Sequence, residues 1–363
     1  MAKTGDKWKK TEEKADYKTE VRLLKREGPG RLYLIWGPED YLSGLFLQEL
    51  KALCLPDGDD SFSYHRLDGP GLDPGQLQDA IDALPFLTER SFVELRDVDI
   101  NKLGGDEDAA GKKKGGDIDR ILAAISDIPE HCTVAFIQNM EYSPDGRKKL
   151  VKELRKQGRE ICFDRQDEGS LKKWLQGHFK HLGKLADDEA LERLIFVSGD
   201  LMSRLLPELE KVAAYAKGER ISVSDVDAVA HHIPEAYVFD MTDQIANRHF
   251  DDALSTLAEL LADRSNEPIA LIALLGSQLK RLYAARLCLD MRQDAAYLAK
   301  LISNREYAAK QLMQSARRYS LPQLQRAVEL CAETDYRCKS SGEDAGELLK
   351  DLVLQIILVA KDG

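Results

Sequence analysis

The sequence predicts an α/β domain with a mainly parallel sheet, followed by a region that is entirely helical. Between Arg31 and about Arg165, short apolar runs of strand length alternate with stretches of helical periodicity, which is the pattern of βαβ units. After Phe163 the strand signal fades, and apolar residues recur at helical spacing. With 363 residues, of which 43% are hydrophobic, the chain has material for two or three domains with substantial cores.

The α/β region is expected to contain five strands separated by helices. The predicted strands are Leu32–Trp36, Ser63–Leu67, Ser91–Val98, Thr133–Gln138 and Glu160–Phe163. The predicted helices between them are Leu42–Leu53, Gln76–Leu84, Ile118–Ser126 and Arg147–Lys156. Residues 104–116 are rich in glycine and blocks of charge, which indicates a flexible insertion. Residues 1–27 are polar and rich in Lys and Glu, which predicts a frayed arm.

The rest of the chain divides into a small helical domain and a larger helical bundle. Ser170 is a plausible N-cap for the first helix, and Pro234 is expected to interrupt the chain between the two. The bundle is expected to contain the helices Phe239–Asn247, Phe250–Asp263, Pro268–Leu289, Leu321–Tyr336 and Glu347–Lys361. The predicted domains are therefore residues 1–29 (polar arm), 30–166 (α/β), 167–233 and 234–363.

Composition and charge exclude several classes of protein. A net charge of −11 makes it unlike a protein that coats nucleic acid by itself. No apolar run reaches the length of a membrane span, and no secretory signal is present. The six cysteines form no C-x-x-C pair, which favours reduced thiols in a cytoplasmic protein. His231 and His232 have no partner motif, and no metal site is expected.

The first strand–turn–helix unit has the position of a phosphate-binding loop but not its chemistry. A Walker A loop requires G-x-x-x-x-G-K-[ST]. Counted from Gly37, the second glycine position holds Leu42, the lysine position Ser43 and the hydroxyl position Gly44. Pro38 removes an N–H donor, and the following Glu-Asp pair places negative charge where phosphates would lie. We therefore interpret this turn as a degenerate P-loop and expect no bound cofactor.

No enzyme motif is present elsewhere in the sequence. There is no G-x-S-x-G, H-E-x-x-H or glycine-rich dinucleotide fingerprint. A Walker B strand would end in Asp-Glu to hold magnesium and water, but the candidate strand has Asp97 followed by Val98. No catalytic residue is predicted.

The segment Leu84–Leu87 (Leu-Pro-Phe-Leu) is unusual because large apolar residues follow a helix stop. Asp73 is a suitable N-cap and Pro74 a suitable first residue for the preceding helix. Pro85 would end that helix and leave Phe86 and Leu87 on a short turn. They could fold back into the core, or they could form an exposed wedge that inserts into a pocket of a partner.

The sequence as a whole resembles the delta subunits of bacterial DNA polymerase III, which belong to the clamp loader and have an AAA+-like fold. The matching stretches extend over the chain after the polar arm. They are YLIWGPEDYL, ALPFLTERSFVELRDV, TVAFIQ, DGRKKLVKELRKQGREICF, SLKKWL, SGDLMSRLLPELEKVAAYA, ISVSDVDAV, VFDMTDQIANRHFDDALSTLAELL and EPIALIALLGSQLKRLY. The resemblance implies an AAA+-like α/β domain, a helical lid and a C-terminal helical collar.

The resemblance also implies a function and a site. Members of this family bind and open the sliding clamp for loading onto primed DNA, without hydrolysing ATP. The clamp-binding wedge of the family corresponds to Pro85 and Phe86, with Leu84 and Leu87 as support, although a pair formed by Phe86 and Leu87 is also possible. The implied partners are the sliding clamp (beta subunit) and a heteropentamer of loader ATPase subunits and a delta-prime-like subunit. Primed DNA is contacted only within that complex, and no membrane is involved.

A feature of the predicted lid agrees with a loss of nucleotide sensing. AAA+ lids often carry G-D-x-R, whereas this chain has Gly199-Asp200-Leu201-Met202, so that Met202 occupies the arginine position. Arg204, two residues further on, is interpreted as a surface or interface residue.

Two other functions remain open on the sequence alone. The first is an active P-loop ATPase, which the carboxylates after Pro38 oppose. The second is a DNA-binding replication or repair module, in which Lys280, Arg281 and Arg286 on one helix could face DNA inside an assembled ring.

Overall fold

The protein is described by a computed structural model that covers residues 16–56, 62–85, 88–103, 115–138, 143–302 and 305–361. The chain divides into two compact units. The first contains Met1–Gln166 and Leu201–Ser203, and the second contains Asp167–Asp200 and Arg204–Gly363.

The first unit is an α/β domain built on a parallel sheet of five strands in the order β2-β3-β4-β1-β5. Its elements are α1 (Tyr17–Glu27), β1 (Leu32–Trp36), α2 (Asp40–Cys54), β2 (Tyr64–Asp68), α3 (Pro74–Asp82), β3 (Ser91–Arg96), α4 (Gly115–Ser126), β4 (Cys132–Gln138), α5 (Lys149–Gln157) and β5 (Arg159–Cys162). The predicted AAA+-like α/β class with a mainly parallel sheet is confirmed.

The core of this unit follows from the strand sequences. The three central strands are buried along almost their whole length, as expected for strands covered by helices on both faces. Phe92, Val93, Val134 and Phe136 are fully buried. The edge strand β2 is more polar and only partly buried.

The prediction of a frayed arm over residues 1–27 is wrong for Tyr17–Glu27, which form α1. Asp16 caps this helix by accepting a hydrogen bond from the Thr19 backbone N–H at 3.0 Å. Leu24 is buried, and the ring of Tyr17 lies 6.3 Å from that of Phe163. The high polar content concealed the single apolar side of the helix.

The second unit consists of helices together with a two-stranded sheet formed by β6 and β7. Its elements are α6 (Glu168–His181), β6 (Leu185–Ala186), α7 (Asp188–Ser198), α8 (Met202–Tyr215), β7 (Arg220–Ile221), α9 (Val223–Val229), α10 (Pro234–Ala246), α11 (Phe250–Ala262), α12 (Pro268–Asp290), α13 (Ala295–Leu301), α14 (Glu306–Ala316), α15 (Leu321–Ser340) and α16 (Ala345–Lys361). The first two residues of α8 are grouped with the first unit.

Two local predictions in this unit have different outcomes, and the one for the start of α6 is wrong. The N-cap of α6 is Asp167, which accepts a hydrogen bond from the Ser170 backbone N–H at 3.0 Å, and not Ser170 itself. Pro234 lies at the predicted interruption, because α9 ends at Val229 and Pro234 is the first residue of α10. A proline is tolerated there because the first N–H groups of a helix have no partner within it.

The centre of the C-terminal bundle is α12, which packs against α10, α14, α15 and α16. Its buried residues, among them Leu275, Leu279 and Leu282, lie on more than one side of the helix, which is typical of a central helix. In the part of the chain that the structure describes, no helix combines the length and the apolar character needed to span a membrane. No group of three metal-ligating side chains is assembled among the same residues.

Candidate functional site

The turn between β1 and α2 depends on the close approach of Gly37 to the chain after β5. Gly37 has φ +125°, and a Cβ atom placed on it would lie 2.3 Å from the carbonyl oxygen of Phe163. The Glu39 backbone N–H donates to the same oxygen at 3.0 Å. Glycine is therefore required at residue 37 because both the backbone conformation and the space exclude a side chain.

Glu39 and Asp40, which follow Pro38, bind the residues at the start of α8. Glu39 is fully buried, and its Oε1 accepts a hydrogen bond from the backbone N–H of Met202 at 3.1 Å. Ser203 donates through its hydroxyl to Asp40 Oδ1 at 2.8 Å. A carboxylate at the beginning of a helix is favoured by the helix dipole and satisfies a donor that has no partner within the helix.

Ser43, at the lysine position of the Walker pattern, is also engaged within the protein. It is buried, and its hydroxyl donates to the Glu39 carbonyl oxygen at 3.2 Å. The hydroxyl position is Gly44, which carries no side chain. The turn therefore keeps the frame of a P-loop, while its buried carboxylate binds the backbone N–H of Met202.

The Walker B position lacks the glutamate, and the lid position lacks the arginine, of the nucleotide-binding motifs. The strand β3 ends at Arg96, and Asp97 follows in a left-handed conformation with φ 54°. Met202, at the arginine position of the lid motif, is a buried apolar side chain. Arg204 is exposed, as expected for a surface residue.

The helix before the candidate wedge is α3, which is firmly anchored. Asp73 Oδ1 accepts hydrogen bonds from the backbone N–H groups of Gly75 at 2.7 Å and Gln76 at 3.0 Å. Leu77 and Ile81 are fully buried. The helix ends at Asp82, two residues earlier than the sequence predicted.

Because α3 ends early, Leu84 lies beyond the helix on the chain that leaves it. Its side chain is 75% exposed, the highest value for a large apolar residue in the described part of the chain. Pro85 is half-buried. The other two predicted wedge residues, Phe86 and Leu87, lie outside the described residues.

The contact between Glu39 and Met202 was not predicted from the sequence. It joins residues separated by 163 positions, and no local pattern marks such a pair. A signal was nevertheless present, because an acidic residue in a mainly apolar strand–turn–helix unit needs a buried partner.

The five-stranded parallel sheet, the turn between β1 and α2 and the helical C-terminal half give the chain an AAA+-like fold. A family model for the C-terminal domain of the DNA polymerase III delta subunit matches residues 235–356. The chain is 23% identical over 343 residues to DNA polymerase III subunit delta of Bacillus subtilis, covering 93% of this chain and 95% of that protein. It is 22% identical over 274 residues to the probable DNA polymerase III subunit delta of Aquifex aeolicus, covering 73% of each.

A solved structure gives the same result for the fold. The DNA clamp loader delta protein of Bacillus subtilis superposes with a TM-score of 0.50 at 21% identity, covering 94% of this chain and 100% of that one. The resemblance to the delta subunits of DNA polymerase III that the sequence motifs predicted is thus confirmed.

Proposed function

We propose that this chain is a clamp-loader subunit that binds and opens a sliding clamp for loading onto primed DNA, and that it does not itself hydrolyse ATP. Similarity to delta subunits supports this function over nearly the whole length of the chain. The observation that carries the clamp-binding part is the exposed Leu84, directly after the anchored helix α3. We infer that residues 167–233 form the lid and residues 234–363 the collar.

The wedge is the segment Leu84–Leu87, of which Leu84 and Pro85 are described. A rigid helix that ends in exposed apolar side chains presents them with little loss of conformational freedom when they bind. Such side chains act as anchors when they enter a pocket of a partner. Phe86 is the central anchor in this proposal, with Pro85 or Leu87 as its neighbour.

To open the clamp, the subunit needs only a higher affinity for the open ring than for the closed ring, and it does not need to catalyse a reaction. A ligand that binds the open ring more tightly than the closed ring shifts the equilibrium by the difference in binding free energy. Reversing a 99:1 preference takes about 5.5 kcal/mol, whereas burying one Phe or Leu contributes about 1.5–3 kcal/mol. More than one wedge residue, together with neighbouring surface, must therefore contribute.

The absence of ATP hydrolysis rests on the turn between β1 and α2. The turn contains a buried carboxylate, Glu39, and has a serine at the lysine position, residue 43. It therefore lacks the positive charge that phosphates need. ATP would be bound by loader ATPase subunits, which with a delta-prime-like subunit would complete a heteropentamer in the cytoplasm. Primed DNA would be contacted within that assembly.

The clamp-binding proposal is tested by measuring the affinity of the full chain for the sliding clamp of the same organism. We expect Phe86→Asp to weaken binding at least ~10-fold, equivalent to about 1.4 kcal/mol. Leu53→Asp is the matched control, because Leu53 is an exposed apolar residue of α2, in the same unit. Unchanged affinity of a folded Phe86→Asp protein would exclude the wedge.

The nucleotide proposal has a separate test. Isothermal titration of the isolated chain with Mg-ATP should give no measurable heat of binding. Saturable binding of Mg-ATP would show instead that the turn is an active P-loop and would support the ATPase alternative.

A further inference from the structure

The C-terminal bundle contains a cleft that is strongly basic, although the whole chain is acidic. The cleft has a volume of about 320 Å³ and lies where the ends of α10, α12, α14 and α16 meet the start of α15. Four arginines line it, namely Arg248, Arg286, Arg317 and Arg318, and no acidic residue does. This local positive charge contrasts with the net charge of −11 of the whole chain.

The arginines are only partly neutralised by their surroundings. Arg286 donates to Asp290 at 2.8 Å, and Arg318 lies 3.5 Å from Asp243. Arg248 and Arg317 form no ion pair with any residue in the described ranges. The Nε of Arg286 is buried without a hydrogen-bond partner among those residues. The charges of Arg248 and Arg317 are therefore not neutralised by a carboxylate of the described residues, which suits an anion that brings several oxygens.

The backbone at Arg248 places its side chain beside the cleft. Arg248 ends α10 in the left-handed conformation with φ 63°, while the next backbone N–H, of His249, donates to the Gln244 carbonyl at 2.8 Å. Glycine is the residue most often found at this position of a helix end because it has no Cβ. An arginine there adopts a less favourable conformation and places a charge beside the cleft.

We infer that this arginine cleft binds the phosphate groups of a nucleic-acid strand. Guanidinium groups match phosphate oxygens in charge and in geometry, and they pair with them in a bidentate manner. The aromatic residue of the cleft, Tyr319, is 5% exposed, and its hydroxyl donates to the Thr242 carbonyl at 2.6 Å. Since this ring is packed into the bundle, the cleft contacts the backbone and does not stack bases, so that binding is independent of sequence.

The basic residues that the sequence singled out only partly coincide with this cleft. Arg286 lines it, whereas Lys280 and Arg281 do not. The other three arginines lie in loops or at helix ends, and they are brought together by the packing of the bundle. The inference concerns the second unit and stands independently of clamp binding by the wedge.

The test is fluorescence anisotropy of a labelled oligothymidine of about 16 nucleotides with the full chain, from about 50 to about 200 mM salt. Arg248→Gly and Arg317→Gln should each weaken binding about 3- to 10-fold. Each should also lower the slope of log K against log salt by about 0.7, the value for one single-strand phosphate contact.

Arg292→Gly is the matched control for Arg248→Gly. Arg292 ends α12 in the same conformation, with φ 56° and the same hydrogen bond from the following residue, Gln293 to Cys288 at 2.8 Å. Both substitutions remove one positive charge and relieve the same backbone conformation, but Arg292 does not line the cleft. We expect Arg292→Gly to bind the oligonucleotide as the unsubstituted chain does.

Three results would overturn the inference. The first is no binding by the unsubstituted chain at the lowest salt concentration, and the second is an equal loss for Arg292→Gly. The third is displacement by a free phosphate compound. We expect ATP and inorganic pyrophosphate to displace the oligonucleotide only at a concentration much higher than that of the oligonucleotide. Displacement by either at lower concentration would assign the cleft to a free phosphate compound. None of these results depends on whether the chain binds a clamp.

Discussion

Acidic side chains usually lie at the surface and large apolar ones in the core. The turn between β1 and α2 breaks the first rule, and the segment after α3 breaks the second. The turn buries an acidic residue, Glu39, whereas the segment exposes an apolar one, Leu84. The buried acid is accounted for inside the protein, since it accepts the Met202 backbone N–H. For the exposed leucine, we proposed a contact with a partner outside the chain. The turn therefore informs us about stability and the segment about binding.

Among the variants that test this comparison, we expect Gly37→Ala to lose the most stability. A methyl group would lie 2.3 Å from the Phe163 carbonyl oxygen, and φ +125° is unfavourable for alanine. We expect a loss of about 4 kcal/mol in the free energy of unfolding, because neither backbone can move without breaking the turn. Urea unfolding monitored by circular dichroism measures it.

Gly69→Ala is the control for the close approach. Gly69 also has a positive φ, +100°, but a Cβ atom there would meet nothing within 4 Å. Its substitution should cost only the conformational penalty of about 1–2 kcal/mol. Equal losses for the two variants would show that the approach of Phe163 is not what fixes the turn.

A second, smaller effect is expected for Glu39→Ala. This substitution removes the acceptor of the Met202 N–H and leaves a buried donor without its partner, at a cost of about 2 kcal/mol. Glu39→Gln keeps an acceptor oxygen in nearly the same place and should cost less. If the two variants were equally destabilised, the negative charge and not the hydrogen bond would be what the start of α8 requires.

The sequence predicted the sheet because the central strands are apolar along their whole length and glycine, proline or polar residues flank them. The strand β1 occupies the predicted residues, Leu32–Trp36. The helix α1 was missed because its polar residues outnumber the apolar ones that it buries, and Leu24 carries most of that burial. A composition average hides a single apolar side of this kind.

The candidate sites show the same limit. The loss of P-loop chemistry was readable residue by residue, because the Walker pattern is local. The role of Glu39 was not, because its partner at Met202 is distant in the sequence. The arginine cleft was hidden for the same reason, since Arg248 and Arg317 are brought together only by folding.

The segment after α3 should respond to substitution in the opposite way to the turn. Because Leu84 is exposed, Leu84→Ser should change the free energy of unfolding by no more than about 0.5 kcal/mol. The same variant should weaken binding to the sliding clamp, whereas Leu53→Ser on α2 should not. A large loss of stability with Leu84→Ser would place this residue in the core and would remove the contrast between the two regions.

The substitution expected to disturb the protein least is Leu84→Cys, whose thiol reports whether this residue is exposed. Cys54 and Cys132 near the sheet are protected, because both are buried and burial raises the pKa of both thiols, that of Cys132 to about 11, whereas Cys162 on β5 is half-buried. A raised pKa means less thiolate at pH 8, and the thiolate is the reactive form. Leu84→Cys should therefore add one rapidly reacting thiol per chain in a titration with Ellman's reagent.

Adding the sliding clamp should slow the reaction of Leu84→Cys and leave the slow native thiols unchanged, because only the wedge becomes covered. The chain without the substitution is the control for the reactivity of the native thiols. If Leu84→Cys reacted as slowly as Cys54, the segment would be buried in solution. If it reacted rapidly, and equally so at saturating clamp concentration, the segment would be exposed without being the clamp-binding surface.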